Sequence, residues 1–414
     1  MDPAGKIEVR DWMTAPETVA IFDALSANGA TARFVGGCVR DAVLGREIKD
    51  VDIATDATPE TVMMLLQTAG LKAIPTGIDH GTVTAISGGK PYEVTTLRRD
   101  VETDGRRAQV VFTDNWAEDA ARRDFTMNAL YCDPDGTLYD PVNGLGDAHA
   151  GRVRFVGDPA LRIEEDRLRI LRFFRFHAWF GMGDLDDQGL AAALAGAGGM
   201  SDLSAERVRV EMLRLLEAPE PLPVVRAMIT GGVLSDLLPE ATQIERLSRL
   251  VKIEIALDHV DPVRRLGAVL AIGGDGMAAI SERLRLSNEE RDRLIGVLNC
   301  SATPNPALSE PDTRRMQYAL GRRLFVDAAL LRWAESDADT DAPLWINYVQ
   351  AAEQRLQPLF PLRGADVVAA GVAAGPEVGT LLTQVENWWI DGDFTADQSA
   401  CLAELERNVE VSER

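Results

Sequence analysis

The sequence is poor in the residues that most often announce a chemistry. Cys38, Cys132, Cys300 and Cys401 are its only cysteines in 414 residues, with no C-x-x-C pair. That excludes a disulfide framework and argues against a thiolate zinc site, leaving buried free thiols as the expectation. None of the four histidines (80, 149, 177, 259) is followed by aspartate, so there is no His-Asp phosphohydrolase signature. A G-x-x-x-x-G-K-[ST] phosphate loop is also missing, which counts against an ordinary ATPase. No apolar run approaches the ~18 residues of a membrane helix, and the opening MDPAGKIEVRD lacks the basic-then-apolar layout of a secretory signal. A cytoplasmic globular protein with no membrane partner is expected. Positive charge is short as well: 43 Lys and Arg face 65 Asp and Glu, for a net charge of −22. A polyanionic partner must therefore be met by a local basic surface. The stretch Gly151–Phe180 offers one, with seven arginines against four acids.

What the chain does have is apolar residue enough, 46% of the total, to build more than one core, and its length suggests two to four domains. Up to about residue 155, short β-like runs (ARFV, VDIAT, TVTAI, YEVTTL, NALYC) alternate with helical segments, and Thr58-Pro59 reads as a helix start. From about Pro159 the apolar period becomes 3.6 and strands vanish. Helices are expected at Ile163–Trp179, Ala205–Leu216 and after the capping box Ser287–Glu290. Proline-rich breaks at 218–223, 301–311 and 358–364 read as joints between helical parts. The expected fold is α+β: a mixed α/β head over 1–155, then a helical neck over 156–230 and an all-α body and tail over 231–414. There is no clear internal repeat.

Within the head, Gly36-Gly37 follows a short strand and leads into a helix. A backbone without Cβ atoms can approach a ligand closely there, and helix-start N–H groups suit phosphate, although for a glycine pair taken alone a simple tight turn is the plainer reading. Arg40 adds a cation one turn on. Asp50 and Asp52 stand at i and i+2 on an expected strand, which puts both carboxylates on one face. Two such anions suit magnesium, which takes a few carboxylate oxygens and keeps its remaining positions for water and phosphates; a solvated edge pair is the plainer alternative. Glu93, on the run YEVTTLR, is a third acid that would complete the set were its strand a neighbour. Such a site fits in-line phosphoryl displacement supported by two metal ions.

The ordered series GGCVRD, DVD, EVTTLR and RRDFTMNA (122–129) resembles the class II bacterial tRNA nucleotidyltransferase and poly(A) polymerase family. The resemblance continues through DPVNG (140–144), EEDRLRILRFFRF (164–176), SAERVRVE (204–211), RLRLSNEERDRL (283–294) and PLRGADVVAAGVAAGPEVGTLL (361–382), so it spans nearly the whole chain. It implies a template-independent enzyme using Mg2+, with CTP and ATP as substrates and tRNA as partner. It further implies Asp50 and Asp52 as metal ligands with Glu93 as third acid, and Gly36, Gly37 and Arg40 at the nucleotide phosphates. Arg122, Arg123 and Asp124 would lie at ribose and phosphates, Asp166 and Arg169 at the nucleobase, and Arg172 and Arg175 would support nucleotide or RNA phosphate.

The nucleobase pair can also be argued from chemistry. Asp166 and Arg169 are i and i+3, hence on one face of an expected helix. An aspartate only accepts hydrogen bonds and an arginine only donates them. Cytosine and adenine each present an exocyclic amine beside an unprotonated ring nitrogen, while uracil and guanine present a carbonyl beside a ring N–H. One such pair satisfies C and A and leaves U and G mispaired, the situation in which polar pockets discriminate strongly. An intrahelical ion pair on a solvated face is the plainer reading. Within the family, TGIDHGTVTAI (76–86) is similar to the tRNA enzymes, and the C-terminal NVEVSER is acidic where poly(A) polymerases carry a basic tail. The polar segment 98–114, expected to be a mobile loop, is full-length, which by resemblance goes with complete CCA addition rather than stopping after CC. Oligomeric state is not legible.

Overall fold

The computed structural model describes residues 1–104, 107–273, 276–300, 303–336 and 342–412. Parts of three sequence readings lie outside them: the Gly105-Arg106 centre of the 98–114 segment, the first two residues of the 301–311 break, and the last two of the acidic tail. The chain divides into two compact units, Met1–Ala241 with Arg283–Arg285, and Thr242–Glu282 with Leu286–Arg414. Together they make the α+β architecture expected, with all strands before residue 140 and helices thereafter.

The first unit is built on an eight-stranded sheet of β1 (Gly5–Lys6), β2 (Ala32–Val35), β3 (Asp52–Thr55), β4 (Lys72–Gly77), β5 (Thr82–Ser87), β6 (Lys90–Thr96), β9 (Tyr131–Cys132) and β10 (Thr137–Tyr139), with spatial order β1-β10-β9-β2-β3-β6-β5-β4. Every pairing is antiparallel except β3 with β6. Strand alternation sends Phe34, Ile53, Val83 and Val94 to one face, where they bury against the helices Pro16–Ser26 and Pro59–Thr68. The second of these starts as its sequence dictates, with the Thr58 hydroxyl accepting from the Thr61 N–H and proline at the first helical position. On the opposite face Val35, Ala54, Leu97 and Tyr131 pack with Trp116 and Ala120 from the helix Trp116–Ala121. Asp52 and Glu93 therefore belong to this second face.

The segment expected as a mobile loop is instead a hairpin. β7 (Arg98–Asp104) pairs antiparallel with β8 (Arg107–Phe112) as a separate two-stranded sheet.

The neck departs from expectation in a way that matters for chemistry. The single helix Ile163–Trp179 is two helices, Pro159–Glu165 and Leu168–Phe180, broken at Asp166, whose backbone is extended (φ −156, ψ 104). Asp166 is a capping residue: its Oδ1 accepts from the Leu168 N–H at 3.1 Å and its carbonyl from the Arg169 N–H at 3.0 Å. Short polar side chains compete for backbone in this way and start helices rather than continue them. Phe173, Phe174 and Phe176 are buried, the first and last with their rings tilted against Phe125.

Every regular element of the second unit among the described residues is a helix, and the helices Asn288–Leu298 and Ala342–Gln354 end before proline-rich stretches. The capping box Ser287–Glu290 forms as read. A buried ionic cluster ties its helices together: Arg293 donates to Asp327 at 2.6 and 2.8 Å, and Arg265 to Glu254 at 2.5 Å. The last residues have a core of their own around Leu381, Val385, Trp389, Cys401 and Leu405. No helix among the described residues is long and apolar enough to cross a membrane.

Candidate active site

The parallel register of β3 and β6 sets Asp52 directly opposite Glu93. Asp50 is not on the strand, which begins at Asp52. On the other side of β3, β2 leaves the sheet at Gly36, where φ is 74° and ψ −125°. That backbone conformation is one for glycine, and a Cβ there would stand 3.6 Å from Arg123 Nη1. The helix Gly37–Val43 starts immediately afterwards.

The electrostatics of the acidic corner are unbalanced. Burial, then the Glu93 carboxylate, and also Asp50, push the Asp52 carboxyl up to about 6, against the pull of Arg123. Two adjacent oxygen donors that resist ionisation together suit a hard divalent cation, whose charge removes the penalty. Among the described residues no three His, Cys, Asp or Glu side chains are close enough to form a ready-made metal cage. Magnesium needs only one or two protein carboxylates beside phosphates and water, so the residues present fit it.

A cavity of about 570 Å³ lies within the first unit, lined by Arg122, Arg123, Asp124, Asp166, Leu168, Arg169, Arg172, Glu206, Arg207, Val210 and Glu211. It brings together candidates from 122–124 and 166–172. Asp119, 1% exposed, anchors one wall by taking Arg122 at 2.7 Å, Arg123 at 2.9 Å and the Tyr131 hydroxyl at 2.7 Å. Burial alone would raise its carboxyl, but Arg123, Arg122 and Tyr131 hold it at about 2. The two arginines then part. Arg122 also donates to the Arg98 carbonyl at 3.1 Å, bracing the hairpin base, whereas Arg123 reaches the Gly36 turn and the field of Asp52.

Asp166 and Arg169 both line the cavity but do not bond each other. Asp166 Oδ2 accepts from Arg207 at 2.6 Å, while Arg169 pairs with Glu165 and donates to the Arg162 carbonyl at 2.8 Å. Arg162 is buried and donates in turn to the Arg123 carbonyl at 3.0 Å. Arg172 holds Asp124 at 3.0 Å and approaches Glu211 at 3.4 Å. Arg175 is not in the cavity wall. It lies against Glu211 at 2.5 Å, with its guanidinium 4.4 Å from the Phe176 ring centre. Within the arginine-rich stretch, Arg162, Arg169, Arg172 and Arg175 are thus held by acids or backbone, while Arg152, Arg154 and Arg167 are exposed.

Arg40 is likewise engaged. It donates to Asp41 at 2.9 and 3.0 Å and to Asn128 Oδ1 at 2.6 Å. Sequence reasoning named neither Asp119 and Arg162 nor Arg207 and Glu211 as site residues. The i, i+3 and i, i+4 spacing of Asp119 to Arg122 and Arg123, and of Arg207 to Glu211, was the available signal.

Comparison with known proteins agrees in outline. Residues 32–154 match the family model described as Poly A polymerase head domain, and residues 184–245 the one described as probable RNA and SrmB-binding site of polymerase A. The mouse mitochondrial CCA tRNA nucleotidyltransferase 1 is 32% identical over 91% of this chain and 86% of its own length. The CCA-adding enzyme of Levilactobacillus brevis is 32% identical over 92% and 95%. Among solved structures, the Bacillus stearothermophilus CCA-adding enzyme in complex with CTP superposes with a TM-score of 0.78 at 29% identity, covering 96% of this chain and 98% of that one.

Proposed function

The chain belongs to the CCA-adding tRNA nucleotidyltransferase family, and from that premise we propose that it adds C, C and A from CTP and ATP to the 3′ end of tRNA, releasing pyrophosphate at each addition. One observation carries the reading: the likeness at 32% identity extends over 92% of the chain. The cavity uniting Arg123 and Asp124 with Asp166 and Arg169 supports it.

Divalent metal use goes with the family, and we take the ion to be magnesium. Asp50 and Asp52 would hold it beside Glu93, and when bound it supplies the positive charge that favours the attacking 3′ oxygen and the departing pyrophosphate. The chain's own residues do the positioning. Gly36 and Gly37 leave backbone clear for a triphosphate, and Arg123, fixed by Asp119, presents a rigid cation beside them. Arg122 serves the hairpin base, and Asp124 orients Arg172. Asp166 accepts from the exocyclic amine of C or A, and Arg169 donates to the ring nitrogen, so U and G leave donors facing donors and acceptors facing acceptors. Arg207 bonds one Asp166 oxygen, whose spare lone pair serves the base. We assign 1–155 to catalysis, 156–230 to base selection and 231–414 to holding the tRNA body, all in the cytoplasm.

The test is to offer a tRNA lacking its 3′ triplet with CTP, ATP, or both, and magnesium. Extension by three residues that needs CTP before ATP is expected. No extension ends the proposal, unlimited A addition makes the chain a poly(A) polymerase, and arrest after CC makes it a partial-adding enzyme.

A further inference from the structure

Arg162 belongs to the arginine-rich stretch but turns inward. It is 7% exposed, on the helix Pro159–Glu165. Its Nη2 donates to the carbonyl of Arg122 and, at 3.0 Å, to that of Arg123, while its Nη1 donates to the Glu165 carboxylate. Arg122 is the C-cap of the helix Trp116–Ala121. Carbonyls at such an end have no partner within their own helix, and a guanidinium satisfies them.

The Glu165 carboxylate is shared. It also takes Arg169 Nη1, which donates further to the Arg162 carbonyl at 2.8 Å. Both anchors of Arg169 thus lie on the segment that Arg162 ties to residues 122 and 123. Among the described residues Arg169 makes these bonds with Nη1 alone, so its Nε and Nη2 carry no protein bond. Arg169 lines the same cavity as Arg123 and Asp124.

We propose that Arg162 is a positioning residue for base selection: through Glu165 and through its own carbonyl it fixes Arg169 against the backbone that carries Arg123, so that the base-reading donor and the cation at the triphosphate keep one spacing. The inference deepens the CCA-adding reading and rests on it. Arginine suits the task because two nitrogens of one rigid fork meet backbone carbonyls and a carboxylate at once. The ammonium of lysine is a point charge without that fork.

The experiment uses the full chain and a tRNA lacking its 3′ triplet. Arg162→Lys, Glu165→Gln and Arg169→Ala, with each of the first two also combined with Arg169→Ala, are compared with the wild type for CTP over UTP selectivity, KM for tRNA and melting temperature. Arg162→Lys and Glu165→Gln should each lower selectivity roughly tenfold, the scale of one hydrogen bond to a charged group. KM for tRNA should not change, and neither substitution should lower selectivity further once Arg169 is alanine. Support of the fold alone would lower the melting temperature and leave selectivity intact. Wild-type selectivity in Arg162→Lys or Glu165→Gln, a second tenfold loss in the Arg169→Ala background, or a raised KM for tRNA in place of lost selectivity would overturn the proposal. Should Arg162→Lys not fold, Glu165→Gln still decides, because wild-type selectivity there removes the route to Arg169. Failure of the underlying reading shows separately, as a wild type that does not extend tRNA.

Discussion

Replacing Asp52 by asparagine is expected to abolish extension while making the first unit more stable. The fold holds this carboxyl at about 6 against an ordinary 3.8, through burial and then Glu93. The folded state therefore binds the proton more tightly than the unfolded chain does. Keeping Asp52 ionised in the fold costs about 3 kcal/mol at neutral pH, from the gap between 3.8 and about 6. Because the folded value is the higher one, the cost is absent below about pH 4, grows as pH rises through the interval, and is fully present above about pH 6. Asparagine keeps the shape and removes the charge. Global unfolding would mix two units, so the assay is hydrogen exchange at the amides of β3 and β6 in EDTA, variant against wild type at each pH. At pH 7.5 the variant's amides should exchange about a hundredfold more slowly, and near pH 4 most of the difference should be gone. Equal or faster exchange in the variant at pH 7.5, or a gain independent of pH, would refute the account of this site as an acidic corner kept unbalanced for a cation.

Asp119→Asn should act in the opposite sense: removing one partner of a buried charge cluster costs about 3 kcal/mol at pH 7. The wild-type carboxyl sits at about 2, below its unfolded value, so its contribution is full above about pH 4 and fades as pH falls toward 2; exchange protection at β9 against pH reports both. Asp166→Ala should cut CTP over UTP selectivity by at least tenfold, a larger change than in CTP turnover, as competition assays with labelled triphosphates would show. In the second unit, Asp327→Ala removes the buried carboxylate shared by Arg293 and Arg264, leaving Arg293 with Asp261, and should lower stability by about 3 kcal/mol, measured by urea denaturation with tryptophan fluorescence, without altering CTP binding in the first unit.

Much of the fold was legible because its local signals agree with its tertiary packing. Alternation in YEVTTL marks a strand with one buried face, and the short apolar run VDIAT one buried on both. The period change near Pro159 marks the end of the sheet, and Thr58-Pro59 and Ser287–Glu290 mark helix starts that form as read. Adjacency was not legible. Nothing in the spacing says that β3 lies beside β6, because that pairing depends on a crossover whose closure is decided by packing. The hairpin β7–β8 was missed although Asp104-Gly105 between β-branched flanks is a recognised turn signal; the surrounding charges gave the segment the look of a loop.

The site shows where composition misleads. Seven arginines in thirty residues suggest a surface for polyanions, yet their three-residue spacing at 169, 172 and 175 makes one stripe on a helix whose other sides are buried. A stripe so confined must face another element, and that element brings Glu211, while Asp124 arrives from the head. Asp166 follows the same logic. Its pairing with Arg169 was argued from an unbroken helix, but an aspartate with a free backbone N–H two residues ahead caps instead, and the break frees its second oxygen for Arg207. Acceptor and donor still line one cavity, held by separate anchors rather than by each other.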